Sequence, residues 1–392
     1  MRKPFVFVGA LLLAALFPGT MGGRAGAKAD CQSGGGIISC PGEFEKLQAI
    51  WMLWPPDLYN EGSRPVYPVM IEMIKALDPH VRVNLVVQSK EEEAEVKSLL
   101  KENGYFGNNL TYYPVKHFSI WARDVGPVFV KDGRGELGVV NFGFDGYGRI
   151  RDRGYLDVEG RIDVLVARQL KMPVIDSNLV AEGGAVESNG RGTVMTTEAV
   201  ALSRNPGLTK TQIENEYKRV LGAKKVIWLK QGLAEDDRVT GGHIDEIARF
   251  ASPHTVLLAQ VLPGDKEASA TSRENFRRLE ENYGLLLQAT DQDGKPFSII
   301  RVPLPPALPQ EIDDRGETPV RSYLNYVVAN DAVLVPAYWK PGRPDALKAT
   351  EEQVQRVFRS VFPGRKIISI DAGNVSRWGG GLHCLTQHMP AN

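Results

Sequence analysis

The sequence predicts an α/β fold in which one unit, a β-hairpin followed by an amphipathic helix and a single strand, recurs and closes into a ring. Three observations predict it. Four hairpins can be read from alternating or β-branched runs around turn residues, and each leads into a helical pattern and then a strand. A fifth unit can be assembled from the two ends of the chain. A ring also removes the sheet edges that an open row of such units would expose.

The hairpins run from Gly126 to Phe142, turning at Asp132-Gly133-Arg134-Gly135; from Ala185 to Ala199, turning at Asn189-Gly190; from Ile244 to Val261, turning near Ser252-Pro253; and from Leu324 to Tyr338, turning at Asn330-Asp331. Gly, Asn, Asp and Pro supply the backbone angles that a tight reversal needs. Helical patterns follow at 161–171, 211–222, 271–287 and 350–361, and strands at 173–176, 225–229, 298–303 and 366–370. For the fifth unit, His383 to Gln387 is expected to pair with Ala49 to Trp54, with helix 67–77 and strand 81–87 after them. Helix 90–103 and strand 110–115 are a surplus for which the repeat has no place.

The 392 residues carry 47 basic and 47 acidic side chains and are 43% hydrophobic, so a large core can form. The neutral balance gives no reason to expect nucleic acid or an anionic membrane as partner. Arg2 and Lys3 precede an apolar run from Phe5 to Phe17 and then small residues, the pattern of a signal peptide over 1–29 with cleavage near Ala27 or Ala29. The run is shorter than the roughly 18 apolar residues of a spanning helix, so export without a lasting membrane anchor is expected, to the periplasm or beyond. Residues 30–40 form a short segment in which Cys31 and Cys40 could pair in an oxidising compartment. No low-complexity linker splits 41–392, which reads as a single catalytic domain. Cys384 is left over, and a leftover cysteine suggests a reactive thiol or an intermolecular bridge.

The chemistry sits in the segment before each hairpin. In order these are Trp121-Ala-Arg-Asp-Val-Gly-Pro127, Glu182-Gly-Gly184, Gly241-Gly-His-Ile-Asp245, Arg321-Ser-Tyr-Leu-Asn325 and Gly379-Gly-Gly-Leu-His-Cys384. In a ring such equivalent stations converge, bringing together a thiol, an imidazole, several carboxylates and an indole. A thiol with a separate imidazole supports covalent catalysis, the thiolate being the nucleophile. Carboxylates without metal-ligand spacing suggest a cationic substrate, and a guanidinium presents five N–H donors that carboxylates match in pairs.

These motifs, with Pro41-Gly-Glu-Phe44 and Ile50-Trp-Met-Leu-Trp-Pro55, resemble the agmatine deiminase and Porphyromonas-type peptidylarginine deiminase family of guanidine-modifying enzymes, over about residues 41–390. The resemblance implies a five-bladed α/β propeller of ββαβ units, the pentein fold, and neither metal nor cofactor. It implies that Cys384 attacks the guanidinium carbon, giving a thiouronium-type covalent intermediate. His243 would protonate the departing ammonia and then activate water. Asp124 and Asp245 would hold the guanidinium nitrogens, and Glu182 would support His243 or the substrate. Trp121 would lie along the substrate's alkyl stem, with Asn325 hydrogen-bonding nearby.

The far end of the substrate is less constrained. Arg149 and Arg151, in Gly146-Tyr-Gly-Arg-Ile-Arg151, are placed like carboxylate-binding arginines of the peptidylarginine type, and Tyr147-Gly148 stands where agmatine-specific members carry Trp-Gly. With the expected export, this leans slightly to arginine or peptidyl-arginine, giving citrulline. The alternative is agmatine, giving N-carbamoylputrescine on the way to putrescine. Two other classes compete: a different cysteine hydrolase, which would not need Asp124, Glu182 and Asp245 together, and a non-catalytic binding protein on the same fold, which would be expected to lose the thiol or the imidazole.

Other residues are read as structural. Arg123 is assigned to ion pairing, and His383 is set aside as base because in an extended segment it points away from Cys384. In the same way, an extended 243–245 would put His243 and Asp245 on one face. Glu235-Asp236-Asp237 reads as a solvated loop, and the segment from Leu304 through Pro309 to Thr318 is long enough to be a lid.

Overall fold

The computed structural model describes residues 38–62, 64–308 and 318–392. The leader 1–29, Cys31 with its pairing to Cys40, and the middle of the lid segment lie outside these residues.

The first sheet begins with β1 (Leu47–Leu53), and after helix α1 (Tyr67–Leu77) comes β2 (Arg82–Val87), parallel to β1 with Trp51 opposite Asn84. The surplus pair then finds its place. Helix α2 (Lys90–Glu102), capped by the Ser89 hydroxyl, returns the chain to β3 (Leu110–Pro114), which pairs in parallel with β2 and adds a fourth strand.

The next unit has a short helix α3 (Ala122–Val125), the hairpin β4 (Val128–Lys131) and β5 (Leu137–Gly143), helices α4 (Arg153–Glu159) and α5 (Ile162–Leu170), and β6 (Val174–Val180). The third has β7 (Val186–Ser188), β8 (Thr193–Thr197), α6 (Glu198–Arg204), α7 (Lys210–Leu221) and β9 (Lys225–Leu229). Its turn is locked by the Asn189 side chain, which accepts the N–H of Arg191 and of Thr193, and α7 starts on a capping box between Thr209 and Gln212.

The fourth unit has β10 (Ala248–Ser252), β11 (Thr255–Gln260), α8 (Ala270–Gln288) and β12 (Ser298–Pro303). The fifth has β13 (Val327–Val328), β14 (Ala332–Ala337), α9 (Asp345–Val361) and β15 (Lys366–Asp371). Helix α9 buries Leu347, Thr350, Val354 and Phe358, a stripe at helical spacing, and the Phe358 ring meets Tyr326 at 4.9 Å. It begins five residues before the expected 350, because Pro344 precedes a first turn, Asp345 to Lys348, too polar to register as amphipathic. A last short helix, α10 (Gly373–Ser376), leads to β16 (Thr386–Pro390), which pairs antiparallel with β1, Gln387 opposite Trp51.

Among the described residues there are thus five separate sheets, each an antiparallel pair extended by one parallel strand, or by two in the sheet that the two ends of the chain complete. The order of pairing is the expected one, but the closing strand is Thr386–Pro390, not 383–387, because His383 and Cys384 lie in the loop before it. The short helices α3, α4, α6 and α10 were not legible as helices, since four to seven residues are too few to establish a 3.6-residue period.

Candidate active site

The segments that precede the four hairpins and the closing strand β16 meet. The backbone N–H of Arg123, in α3, donates to the Cys384 carbonyl at 3.1 Å, tying the first of these segments to the last. Glu182 follows β6 and introduces a 3-10 turn over Gly183–Ala185. Gly184 must lack a side chain, since a Cβ there would lie 2.7 Å from His243 Nδ1, 2.9 Å from Asp124 Oδ1 and 3.1 Å from Asp245 Oδ2. Those three functional groups therefore crowd one point of backbone.

His243 is aimed by its own loop. Asp236 accepts the N–H of His243 at 2.9 Å and of Thr240 at 3.1 Å, and Thr197 donates to the Gly242 carbonyl at 2.9 Å. The solvated-loop reading of Glu235-Asp236-Asp237 is corrected here: Asp236 is fully buried, and Asp237 pairs with Arg278. The extended geometry expected at 243–245 is corrected as well, because Ile244–Glu246 is a 3-10 turn. The turn brings not only Asp245 but also Glu246 inward, where strict alternation would have sent one of the two away.

Cys384 Sγ lies 3.2 Å from Asn325 Nδ2, 3.7 Å from Asp245 Oδ2 and 3.7 Å from Glu246 Oε1. Asn325 also accepts the backbone N–H of His383 at 2.8 Å and of Cys384 at 3.2 Å, and donates to Glu246 at 2.8 Å, so one amide fixes the segment that carries the thiol. A Cβ on Gly380 would touch Cys384 Sγ at 3.0 Å and Trp121 Cζ3 at 2.9 Å, which puts the indole beside the sulfur. His243 reaches Asp124 Oδ1 at 3.7 Å through Nδ1 and Glu182 Oε2 at 3.4 Å through Nε2, while Glu182 is held from behind by Arg204 at 2.7 Å.

The acids outnumber the cations here. Burial alone depresses the His243 pKa, but Asp124, Glu182 and Asp245 outweigh it and hold it at about 9, so the imidazole is protonated at neutral pH. Burial raises Asp124 to about 6, with His243 opposing. Burial, then Asp245, Glu246 and Asp124, push the Cys384 thiol well above its ordinary range, and burial followed by Asp245 pushes the Glu246 carboxyl well above the usual carboxylate range. Glu182 Oε2, Asp245 Oδ1, Glu246 Oε2 and both His243 nitrogens are buried without a hydrogen-bond partner. Such atoms are costly unless a partner reaches them, a donor for the carboxyl oxygens and an acceptor for the imidazolium nitrogens.

Of the residues singled out in the sequence, Cys384, His243, Asp124, Asp245, Glu182, Asn325 and Trp121 come together. Arg149 and Arg151 do not: both are exposed, Arg149 donating to the Asp237 carbonyl and Arg151 to the Gly148 carbonyl. Three neighbours were missed. Glu246 follows Asp245 directly. Tyr147, in left-handed backbone at φ 61° between two glycines of positive φ, donates to Asp124 at 3.0 Å. His383 bridges Asp245 at 2.7 Å and Glu43 at 2.8 Å, and so touches the site from behind. The Gly-x-Gly around Tyr147 was a usable signal; the Pro41-Gly-Glu-Phe44 motif contained Glu43 but gave it no role. Arg123, as expected, is structural, bound to Glu43, Gln387 and His388.

A buried thiol, an imidazole and four carboxyls thus lie together around buried acceptors that lack partners. The chain belongs to the Porphyromonas-type peptidyl-arginine deiminase family, whose model matches residues 39–390. A curated protein of Streptococcus mutans, provisionally named an agmatine deiminase, is 33% identical over 373 residues, spanning 90% of this chain and 95% of its own. The solved agmatine deiminase of Enterococcus faecalis superposes with a TM-score of 0.75 at 27% identity, covering 90% of this chain and 96% of that one. A Porphyromonas gingivalis structure provisionally named an arginine deiminase gives 0.74 at 26%, covering 90% and 98%. The protein is accordingly a hydrolase of C–N bonds in amidines, and its reaction is the deimination of a guanidino group.

Proposed function

We propose that the substrate is agmatine, converted to N-carbamoylputrescine and ammonia through a covalent intermediate on Cys384. The observation that carries this is the pair of unpartnered buried acceptors, Asp245 Oδ1 and Glu246 Oε2, on the two carboxyls that lie 3.7 Å from the sulfur. A planar cation with five N–H donors suits them, and its charge offsets an excess of acid. Arginine would add a carboxylate. Arg149 and Arg151 are turned to backbone carbonyls, and Arg204 is engaged by Glu182 and the Thr240 carbonyl. The names of the relatives also favour agmatine, so the slight lean of the sequence toward arginine and peptidyl-arginine is set aside.

Asp124 and Asp245 grip the guanidinium nitrogens, and Trp121 flanks the alkyl stem. The cation lowers the thiol's pKa as it seats, so sulfur loses its proton to solvent in the substrate complex, His243 being already protonated. Thiolate attacks the guanidinium carbon, forming a C–S bond. His243, already protonated, gives its proton to one nitrogen, the C–N bond breaks, and ammonia leaves. The neutral imidazole then takes a proton from water, hydroxide adds to the thiouronium carbon, and the C–S bond breaks to give the ureido product and free thiol.

We further infer that the five sheets are blades about one axis with the cluster at its centre, a reading supported by the one functional segment each contributes. The basic start and short apolar run of the sequence support export of the mature chain, which N-terminal sequencing of the secreted protein tests.

Ammonia and ureido product are to be measured with agmatine, free arginine and a peptide ending in arginine, on wild type and Cys384→Ala. The expected result is turnover of agmatine, with kcat/KM for the other two at least about tenfold lower. A preference for the peptide would overturn the substrate assignment, and no ammonia from any of the three would overturn the mechanism.

A further inference from the structure

The atoms around the Cys384 sulfur meet a second chemical requirement besides that of a guanidinium. Sγ lies 3.7 Å from Asp245 Oδ2 and 3.7 Å from Glu246 Oε1, and all three donor atoms fall within 4.8 Å of one another. A tetrahedral zinc ion with Zn–S of about 2.3 Å and Zn–O of about 2.0 Å separates its sulfur and oxygen ligands by about 3.5 Å. The observed spacing differs from that by a few tenths of an ångström, less than a side-chain adjustment. The three residues are at most 5% exposed, and the second oxygens of both carboxyls, Asp245 Oδ1 and Glu246 Oε2, have no partner.

We propose that the substrate-free site takes up one thiophilic divalent cation, zinc or cadmium in character, on Cys384, Asp245 and Glu246, and that this ion is a reversible inhibitor competing with the guanidinium. The ligands are already held as metal ligands commonly are. His383 donates to Asp245 at 2.7 Å and Asn325 to Glu246 at 2.8 Å, outer hydrogen bonds that orient carboxylates without occupying all their lone pairs. The thiolate selects zinc over magnesium or calcium. Binding releases the thiol and carboxyl protons to solvent.

The cluster behind the site, Glu43 with His383 and His388, has similar spacing but is closed to a cation, since Arg123 and Arg249 both contact Glu43. The inference stands on the geometry at Sγ; only its competitive character rests on the proposed substrate.

Metal-stripped protein titrated with cobalt(II) tests it. Wild type is expected to develop a sulfur-to-cobalt charge-transfer band in the near ultraviolet, lost on adding zinc or agmatine and absent from Cys384→Ser. Millimolar magnesium should leave the band unchanged. Glu246→Gln should weaken zinc, measured by displacement of cobalt, at least tenfold, and zinc should raise the apparent KM for agmatine with kcat unaltered. No band in wild type, a band that persists in Cys384→Ser, displacement by magnesium, or a fall in kcat at constant KM would each overturn the proposal. The cobalt signal needs no turnover. A band in a protein that deiminates nothing would therefore sink the substrate reading and keep this one; turnover without a band would do the reverse. If Glu246→Gln does not fold, the wild-type band and its displacement still decide.

Discussion

Two charged clusters lie back to back, joined by His383, and they are built on opposite rules. Behind, Glu43 meets Arg123, Arg249, His383 and His388, and Glu187 meets Arg249. Burial alone would raise the Glu43 carboxyl, but Arg123, the two imidazoles and Arg249 hold it well below the usual range. In front, four carboxyls face one imidazole and a single arginine, and acceptors are left unmet. A cluster whose charges are matched holds a fold together. A cluster short of one cation is waiting for a ligand, and its electrostatic debt is the substrate's binding energy.

Substitutions can break this contrast. Cys384→Ala should lower kcat by at least about 10⁴-fold while leaving the thermal midpoint unchanged or higher, because it removes a buried thiol from among acids. A large fall in melting temperature would mean the front is structural after all. Glu43→Ala should do the opposite, costing about 3–5 kcal/mol in urea denaturation by leaving the buried Arg123 without a carboxylate and Arg249 with Glu187 alone. A wild-type unfolding curve would refute the division.

The front should also show itself in pH. On the proposed mechanism Asp124 loses its proton to grip the cation, so kcat/KM should climb through about 6, and His243 keeps its proton to release ammonia, so it should fall through about 9. The same His243 shift has a stability sign. Its folded value lies above the unfolded 6.5, so its contribution is complete below 6.5 and is lost as pH rises through about 9, visible as a falling urea midpoint. Tyr147→Phe removes the phenol that donates to Asp124 at 3.0 Å and should cost about tenfold in kcat/KM at unchanged stability. Smallest of all, Arg149→Ala with Arg151→Ala should change kcat/KM for agmatine less than about twofold, since both side chains are exposed.

What could be read from the sequence followed the range of the interactions. Strands β9 and β12 match their expected limits, and the hairpins turn where Asn-Gly, Asp-Gly or Ser-Pro stands, because those signals are local. The pairing of the two chain ends was legible because the leftover strand had only one place to go. The site was legible as five segments with glycine beside a reactive group. Glu246 was not, because its direction depends on a 3-10 turn in place of extended chain. Glu43 was not, because its partners lie 80 to 345 residues away, and no local pattern encodes an ion pair of that reach. The arginine pair misled for the converse reason: Arg149-x-Arg151 is a conspicuous local pattern whose guanidiniums are absorbed by nearby backbone.

The seam between β1 and β16 fixes when the protein can first act. A ribosome making this chain finishes four sheets before it adds the sulfur-bearing segment, and the strand that segment leads into must return to a partner made near the beginning. Until then the acids of the front have neither the proposed nucleophile nor closure. On that mechanism a nascent or prematurely terminated chain, stopped after α10, is harmless to free guanidines, however well its other sheets have formed.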